Sequence, residues 1–480
     1  MELLFVFISF LTAAGISFFA KQRENAEYIS LAAAVIAMLA SFFIALKVAG
    51  TGQYSPLPLF FIDALGAVIL LITSCVGVAT VVYSIPYLRR ETVKNIIGFK
   101  RVKQYFFLQN VFFAALFLAV AADSPIFAFI AIEATTLSTA FLISFYNKPS
   151  TIEAAWKYII INSVGLLLGF FGTLLYFTPF RSSALNGAVS WQFLMENAIN
   201  LDPVIVKIAF IFVIIGYGTK VGFAPMHTWK PDAYSKAPAP LGAMLSGAVL
   251  PVAFLILLKF KKITDISLGP LFSEHLFIVF GLLSISIAAV IMFSSKNYKR
   301  LLAYSCIENA GIMALGFGFG GLGIFAALLH MIYHSCVKVI LFFSAGNLLL
   351  KYHSARIANI KGALNILPVT SVLFISGFLI VTGLPPFGTF LTKLFILSAG
   401  INTHPVITVL AVFFMTVVFI GFLKHVTAMF FGLPAEGLEP GEGNIWLVIP
   451  SCAFLTLVVI LSFYIPPFLY KLISESALRY

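Results

Sequence analysis

A lysine stands in the middle of an apolar run. From Lys207 to Leu250 the chain reads as membrane-embedded, centred on GYGTKVGFAPMHTWKPDAYSKAPAPLGAMLSG, yet it carries Lys220, breaks at Pro225 and continues through His227, Asp232 and further prolines. An unpaired charge at membrane depth costs roughly 3 kcal/mol or more. A broken helix there is tolerated only where its freed backbone is buried in protein or lines a wet cavity. The same device returns as TGLPPFGTFLTK, where Pro385 and Pro386 interrupt an apolar run and Lys393 follows two helical turns later. Two broken, lysine-bearing helices in corresponding positions point to a transporter core made of inverted repeats.

Composition agrees. Of 480 residues, 61% are hydrophobic and only 10% charged, far from the roughly 45–50% apolar content of soluble domains. The chain is an all-α polytopic membrane protein. Its formal charge of +12 is spread over short loops, so it orients the chain in a membrane and gives no nucleic-acid surface. Cys75, Cys306, Cys336 and Cys452 all fall in apolar segments without CxxC spacing, which excludes a cysteine-ligated iron-sulfur cluster within this chain. The N-terminus has Glu2 and no basic leader, so it reads as a first membrane helix and not as a cleaved signal.

With about 20 apolar residues per crossing, fourteen spans are expected, at 2–20, 28–49, 57–86, 104–122, 124–146, 152–177, 203–225, 240–260, 274–294, 301–319, 322–350, 366–399, 404–430 and 444–470. Loops after odd-numbered spans hold eighteen lysines and arginines, Lys230 and Lys299 among them, whereas loops after even-numbered spans hold only Arg181, Lys261 and Lys262. Both termini are therefore expected outside the cytoplasm. No large soluble insertion is present, so any redox chemistry would belong to other subunits.

Ionisable groups inside spans mark function by default. Lys47 and Lys207 lie near helix ends and can snorkel. Lys157, in EAAWKYIIINSVG, is a secondary candidate, as are His227 and Glu308. Lys220, Lys259, Lys338 and Lys393 lie in apolar runs, and Glu133 is the deepest acid. No base lies within a turn of Glu133, so its partner comes from another helix, with Lys220 the best placed. Desolvation and mutual attraction act in opposite senses on such a pair, which suits ion pumping; a static pair that fixes packing is the alternative. His330, His334 and Lys338 recur every four residues, stacked about 6 Å apart per step on one helical stripe. HxxxH also occurs in metal sites, but no third ligand is offered and Lys338 would repel a cation. A titratable stripe is the better use.

Four stretches, KVGFAPMHTWKPDAYSKAPAPLGAMLSG, KNYKRLLAYSCIENAGIMALG, HMIYHSCVKVILFFSAGN and GLPPFGTFLTK, resemble the best-marked parts of the antiporter-like subunits. Respiratory complex I, the Mrp cation/proton antiporters and the membrane-bound group 4 hydrogenases share these subunits. The likeness covers roughly residues 57 to 430, and APAPLGAMLSGAVL with Glu308 in YSCIEN is most similar to the hydrogenase-4 component F branch. The resemblance implies fourteen helices, with helices 4–8 and 9–13 as inverted repeats. The corresponding divisions are 1–103, 104–260, 274–430 and 444–480.

By position, the resemblance implies Glu133 and Lys220 as a switchable pair, His330, His334 and Lys338 as the central relay, and Lys393 facing the outer exit. Relatives often carry a lysine where this chain has Pro251, leaving Lys259 as the base of the eighth helix, and an acid where it has Asn297. The implied role is proton pumping in a redox complex of the cell membrane, with Lys259 between Lys220 and the stripe. Partners would be other antiporter-like and small membrane subunits and a peripheral redox arm; the chain holds no cofactor, and any Ni-Fe or Fe-S centres sit in those partners. The alternatives are an Mrp-type Na+/H+ antiporter, a proton-pumping subunit of an NADH:quinone oxidoreductase, or a purely structural anchor.

Overall fold

A computed structural model describes residues 2–180, 189–434 and 437–480. Among the described residues, twelve helices are long and apolar enough to cross a membrane, and one bent pair can supply a thirteenth crossing. They are α1 (Glu2–Phe19), α2 (Arg23–Thr51), α3 (Ala64–Val93), α4 (Phe99–Ala121), α5 (Pro125–Ile143), α6 (Pro149–Phe177), α7a (Pro203–Val221) with α7b (Trp229–Lys236), α8 (Ala239–Leu268), α9 (Leu271–Phe293), α10 (Tyr298–Phe319), α11 (Leu322–Tyr352), α13 (Pro405–Phe430), and the bent α14a (Ile449–Phe463) with α14b (Pro467–Arg479). The expected twelfth span comes as α12a (Pro368–Thr382) and α12b (Gly388–Thr403), of 15 and 16 residues. Each piece is shorter than a bilayer crossing.

Two expected boundaries need correction. The helix α8 runs on to Leu268, so Lys261 and Lys262 are helical and not loop residues, and Lys261 is buried against Asp265 at 2.6 Å. The last expected span is bent by 73° between Phe463 and Pro467, because Pro466 and Pro467 donate no backbone hydrogen bond and push the residue before them out of helical geometry. Arg181, counted with the sparse basic residues, lies outside the described residues.

Helix starts follow local chemistry. Ser124, Asp202 and Asn297 each accept hydrogen bonds from the first free backbone N–H groups, and the first two are followed by proline at the first helical position. Asn297 therefore does the capping work that an acid would do there. In α8 a π-helical turn over Leu245–Val249 precedes Pro251, a local widening that accommodates a residue unable to donate to the turn before it.

Alternation of the helices is visible in loop contacts. Loops after α2, α4 and α6 meet one another, through the Phe60–Ala122 bridge and the bond from Trp191 N–H to Asp123 O at 2.9 Å. Loops after α7, α9 and α11 meet at the other end, through the Asn297–Arg356 bridge and the Lys299 bond to Ala237 O at 2.5 Å. Small residues set the helix spacing: a side chain on Gly216 of α7a would collide with the backbone of Gly169 on α6, and Gly281 and Gly311 join α9 and α10 likewise. At the centre, α8 and α10 are buried throughout their apolar windows and α11 almost so. Charges within those windows are shielded by protein on all sides.

Candidate functional site

Both broken helices end in the same way. Gly222 (φ +88°) and Gly383 (φ +83°) turn the chain out of α7a and α12a in left-handed geometry, which only glycine takes without strain. Phe223 N–H returns to Gly218 O at 2.9 Å and Leu384 N–H to Leu379 O at 3.0 Å, the 6→1 bond of a Schellman cap. A cis proline follows three residues after each glycine, at Pro225 and Pro386. Side chains from the next helix also donate to the last carbonyls, of which Thr219 O and Ile380 O already accept from Gly222 and Gly383 N–H. Trp229 donates to Thr219 O at 3.0 Å and Lys230 to Val221 O; Thr389 donates to Ile380 O at 2.5 Å, and Lys393 to Val381 O and Thr382 O at 3.0 and 3.3 Å. Carbonyls freed at both breaks thus find donors inside the protein.

Around the first break, Lys220 is buried and its Nζ donates to Thr136 Oγ1 at 2.8 Å and to Tyr158 Oη at 3.0 Å. The Tyr158 ring lies under the same ammonium at 5.3 Å. Glu133, half-buried on α5, accepts from Ser163 at 2.6 Å and from Thr136 at 3.2 Å. Glu133 and Lys220 are therefore brought together, but not as a direct ion pair: the Thr136 hydroxyl bridges them.

Around the second break the pair is direct. Lys393 Nζ lies 3.2 Å from Glu308 Oε1, both side chains buried. The other Glu308 oxygen accepts from the Asn309 amide, whose oxygen meets His330 Nε2 at 2.9 Å; His330 Nδ1 meets Thr392 at 2.8 Å. One continuous network thus runs from α12b through α10 to α11. Lys338 donates to Ser305 and to Leu302 O on α10. His334, between His330 and Lys338, has no hydrogen-bond partner for either ring nitrogen among the described residues.

Other expected positions fall elsewhere. Lys157 sits in an exposed cluster with Glu153 at 2.6 Å and Asp232 at 3.4 Å, which Arg300 shares at 3.3 Å. Lys259 is buried over the faces of Trp191 and Phe61, 5.1 and 6.0 Å from their centroids, within electrostatic reach of Asp63 and Asp123. Burial holds the Asp123 carboxyl above its usual range while Lys259 pulls it back. That site lies among the loops after even-numbered helices, so Lys259 does not stand between Lys220 and the stripe. His227 is buried beside Tyr304, with Nδ1 unpartnered.

Sequence reading missed Lys230 and Lys299. Both were assigned to loops, yet each is about 1% exposed, which excludes a solvated orienting role. Lys230, Lys338 and His334 lie within electrostatic reach of one another, so Lys230 stands beside the stripe and Lys259 does not. The burial of α7b, whose composition reads as a loop, comes from packing against α6 and α10. Among the described residues no three histidine, cysteine or carboxylate side chains form a metal-holding group, and both His330 nitrogens are already engaged.

Comparison with known proteins gives a consistent picture. The transmembrane family described as NADH:quinone oxidoreductase/Mrp antiporter matches residues 122–419. The chain is similar to the hydrogenase-4 component F homolog of Methylacidiphilum infernorum, 33% identical over 97% of this chain and 96% of that one. Its fold is similar to a chain of the archaeal membrane-bound sulfane sulfur reductase (TM-score 0.87, 21% identity, covering 100% and 96% of the two chains). It is also similar to a chain of the Mrp complex from Dietzia sp. DQ12-45-1b (TM-score 0.85, 19% identity, covering 99% and 96%).

Proposed function

The chain belongs to the family of NADH:quinone oxidoreductase and Mrp antiporter membrane subunits, and from that premise we propose that it is a proton-translocating, non-redox subunit of a multisubunit redox complex, of the group 4 membrane-bound hydrogenase or related ferredoxin-linked kind. It works in the cell membrane with its basic loops in the cytoplasm, beside other antiporter-like and small membrane subunits and a peripheral redox arm. The observation that carries this reading is the presence of a buried lysine and a carboxylate at each helix break, one pair bridged and one direct.

As an ammonium, Lys220 donates to Thr136 and Tyr158, and the Thr136 hydroxyl donates in turn to Glu133. A small displacement of Lys220 breaks this relay and removes the attraction that keeps the lysine charged in a desolvated site. The released proton passes by Lys230 and Lys338 into the stripe of His334 and His330, then to the Glu308–Lys393 pair. Histidine suits the middle of such a path because its charge changes near neutral pH. Lys259 serves a side branch toward Asp123 and Asp63. The inverted repeats over 104–260 and 274–430 are the proposed frame for the two pairs.

Replacement of Lys220 by alanine tests the proposal. Coupled proton movement in sealed vesicles is expected to vanish while the complex still assembles; full pumping by the assembled variant would sink the reading. Metal analysis of the complex drawn from native membranes separates its settings. Nickel with iron places the chain in a hydrogenase and iron alone in another redox complex, whereas neither metal points to an Mrp-type sodium/proton antiporter.

A further inference from the structure

Away from the buried axis, a crevice of about 500 Å³ opens where the end of α3, the end of α11 and the segment before α14a meet. Four cations, Arg89, Arg90, Lys94 and Lys351, line it against one acid, Glu439. Arg89 is held by Glu27 on α2 at 2.5 Å. The other three have no carboxylate within ion-pair distance among the described residues: Lys94 donates to Leu350 O at 2.9 Å and meets the His353 ring at 3.2 Å, Lys351 reaches Gly441 O at 3.5 Å, and Arg90 packs on Gly443. Burial, reinforced by Arg90 and Lys351, holds the Lys94 ammonium below the usual lysine range.

Past Pro86 and Arg89 the crevice continues into a second space of about 320 Å³, lined by Tyr28, Leu31, Val82, Ile85 and Trp446. Val82 lies seven residues before Arg89 on α3, roughly 10 Å along the axis. A basic mouth therefore opens onto an apolar channel at the end of a membrane helix. Tyr28 and Trp446 stand where amphipathic rings mark the membrane boundary. A soluble anion would use the mouth and leave the apolar half empty. An anionic phospholipid uses both, and basic pockets between membrane helices take such head groups.

We propose that this crevice is a binding site for one anionic phospholipid, with its phosphate against Arg90, Lys94 and Lys351 and an acyl chain between α2 and α3 toward Trp446. The lipid neutralises like charges that the protein leaves facing one another. It also ties α3 and α11, the helix that carries the histidine stripe, to the segment leading into α14a.

The test uses the assembled complex in mild detergent, with vesicle lipids of phosphatidylcholine alone or with phosphatidylglycerol added. Anionic phospholipid is expected to stay bound through delipidating washes, and phosphatidylglycerol to raise the melting temperature. The R90Q/K94Q variant should retain roughly tenfold less of it and lose the phosphatidylglycerol-dependent shift, while melting like the parent in phosphatidylcholine. Ile85→Trp, which fills the apolar half and keeps every charge, should do the same. Lipid retention equal to the parent's by either variant would overturn the proposal. So would an equal shift from inorganic phosphate, which needs no acyl chain, or an acidic segment of a neighbouring subunit cross-linked into the crevice.

Discussion

Lys220 and Glu133 meet through a single hydroxyl: Thr136 Oγ1 accepts from the lysine at 2.8 Å and donates to the carboxylate at 3.2 Å. On the proposed path, Thr136 is thereby the element that would switch the pair. Thr136→Val keeps the shape and removes the bridge, leaving buried groups short of a partner at a cost of about 1–3 kcal/mol. Coupled proton movement should fall at least tenfold with assembly retained, and Thr136→Ser should restore most of it. Vesicle pumping assays on the three forms decide the matter.

Glu308 and Lys393 form a direct buried pair. Breaking one half of such a pair costs about 3 kcal/mol or more, because the survivor stays buried and unmatched. Glu308→Gln should lower the melting temperature of the complex more than the double replacement with Lys393→Met does. A double-mutant cycle by thermal denaturation measures the coupling; additive losses would mean that the pair is not coupled in the membrane.

At Gly222 a side chain meets two obstacles. Its φ of +88° disfavours any other residue, and a Cβ there would stand 2.7 Å from the Lys230 side chain. Gly222→Ala should cost on the order of 1–2 kcal/mol from the backbone alone and displace Lys230 from the end of α7a. Reduced yield of assembled complex and a lower melting temperature are the readouts. Gly52, also a left-handed cap (φ +80°) but with open space around it, is the control and should suffer the backbone effect only.

Lys157 and Lys230 make a contrasting pair. The Lys157 side chain is about half exposed among surface charges, where ion pairs contribute little, and Lys157→Ala should leave pumping unchanged. Lys230 is buried at the first break, and Lys230→Met should abolish coupled proton movement. If the two variants behave alike in the same vesicle assay, the path does not run past Lys230.

Much of this architecture was legible before any coordinates. Apolar run length gave the helices, and Pro225, Pro385 and Pro386 marked the breaks because proline withdraws a donor and glycine supplies the turn. Glu133, Lys220, Lys338 and Lys393 stood out because charge in an apolar run has few innocent explanations. Thr136 and Tyr158 carried no such signal, since a hydroxyl in a membrane helix usually bonds its own backbone. Lys230 and Lys299 were hidden for the opposite reason. Their flanks are polar and proline-rich, and only neighbouring helices bury them. The surroundings of Lys259 were not legible, because its position along α8 says nothing about which direction its side chain takes. The pairing of Glu308 with Lys393 needed the crossing of α10 and α12b.

The end of α12a is held by the same nitrogen that pairs with Glu308. An ammonium has three hydrogens to give, and Lys393 has three acceptors: the Glu308 carboxylate and the carbonyls of Val381 and Thr382. One nitrogen therefore ties a carboxylate of α10 to the last turn of α12a, so that a displacement of Glu308 is also a pull on the backbone at the break.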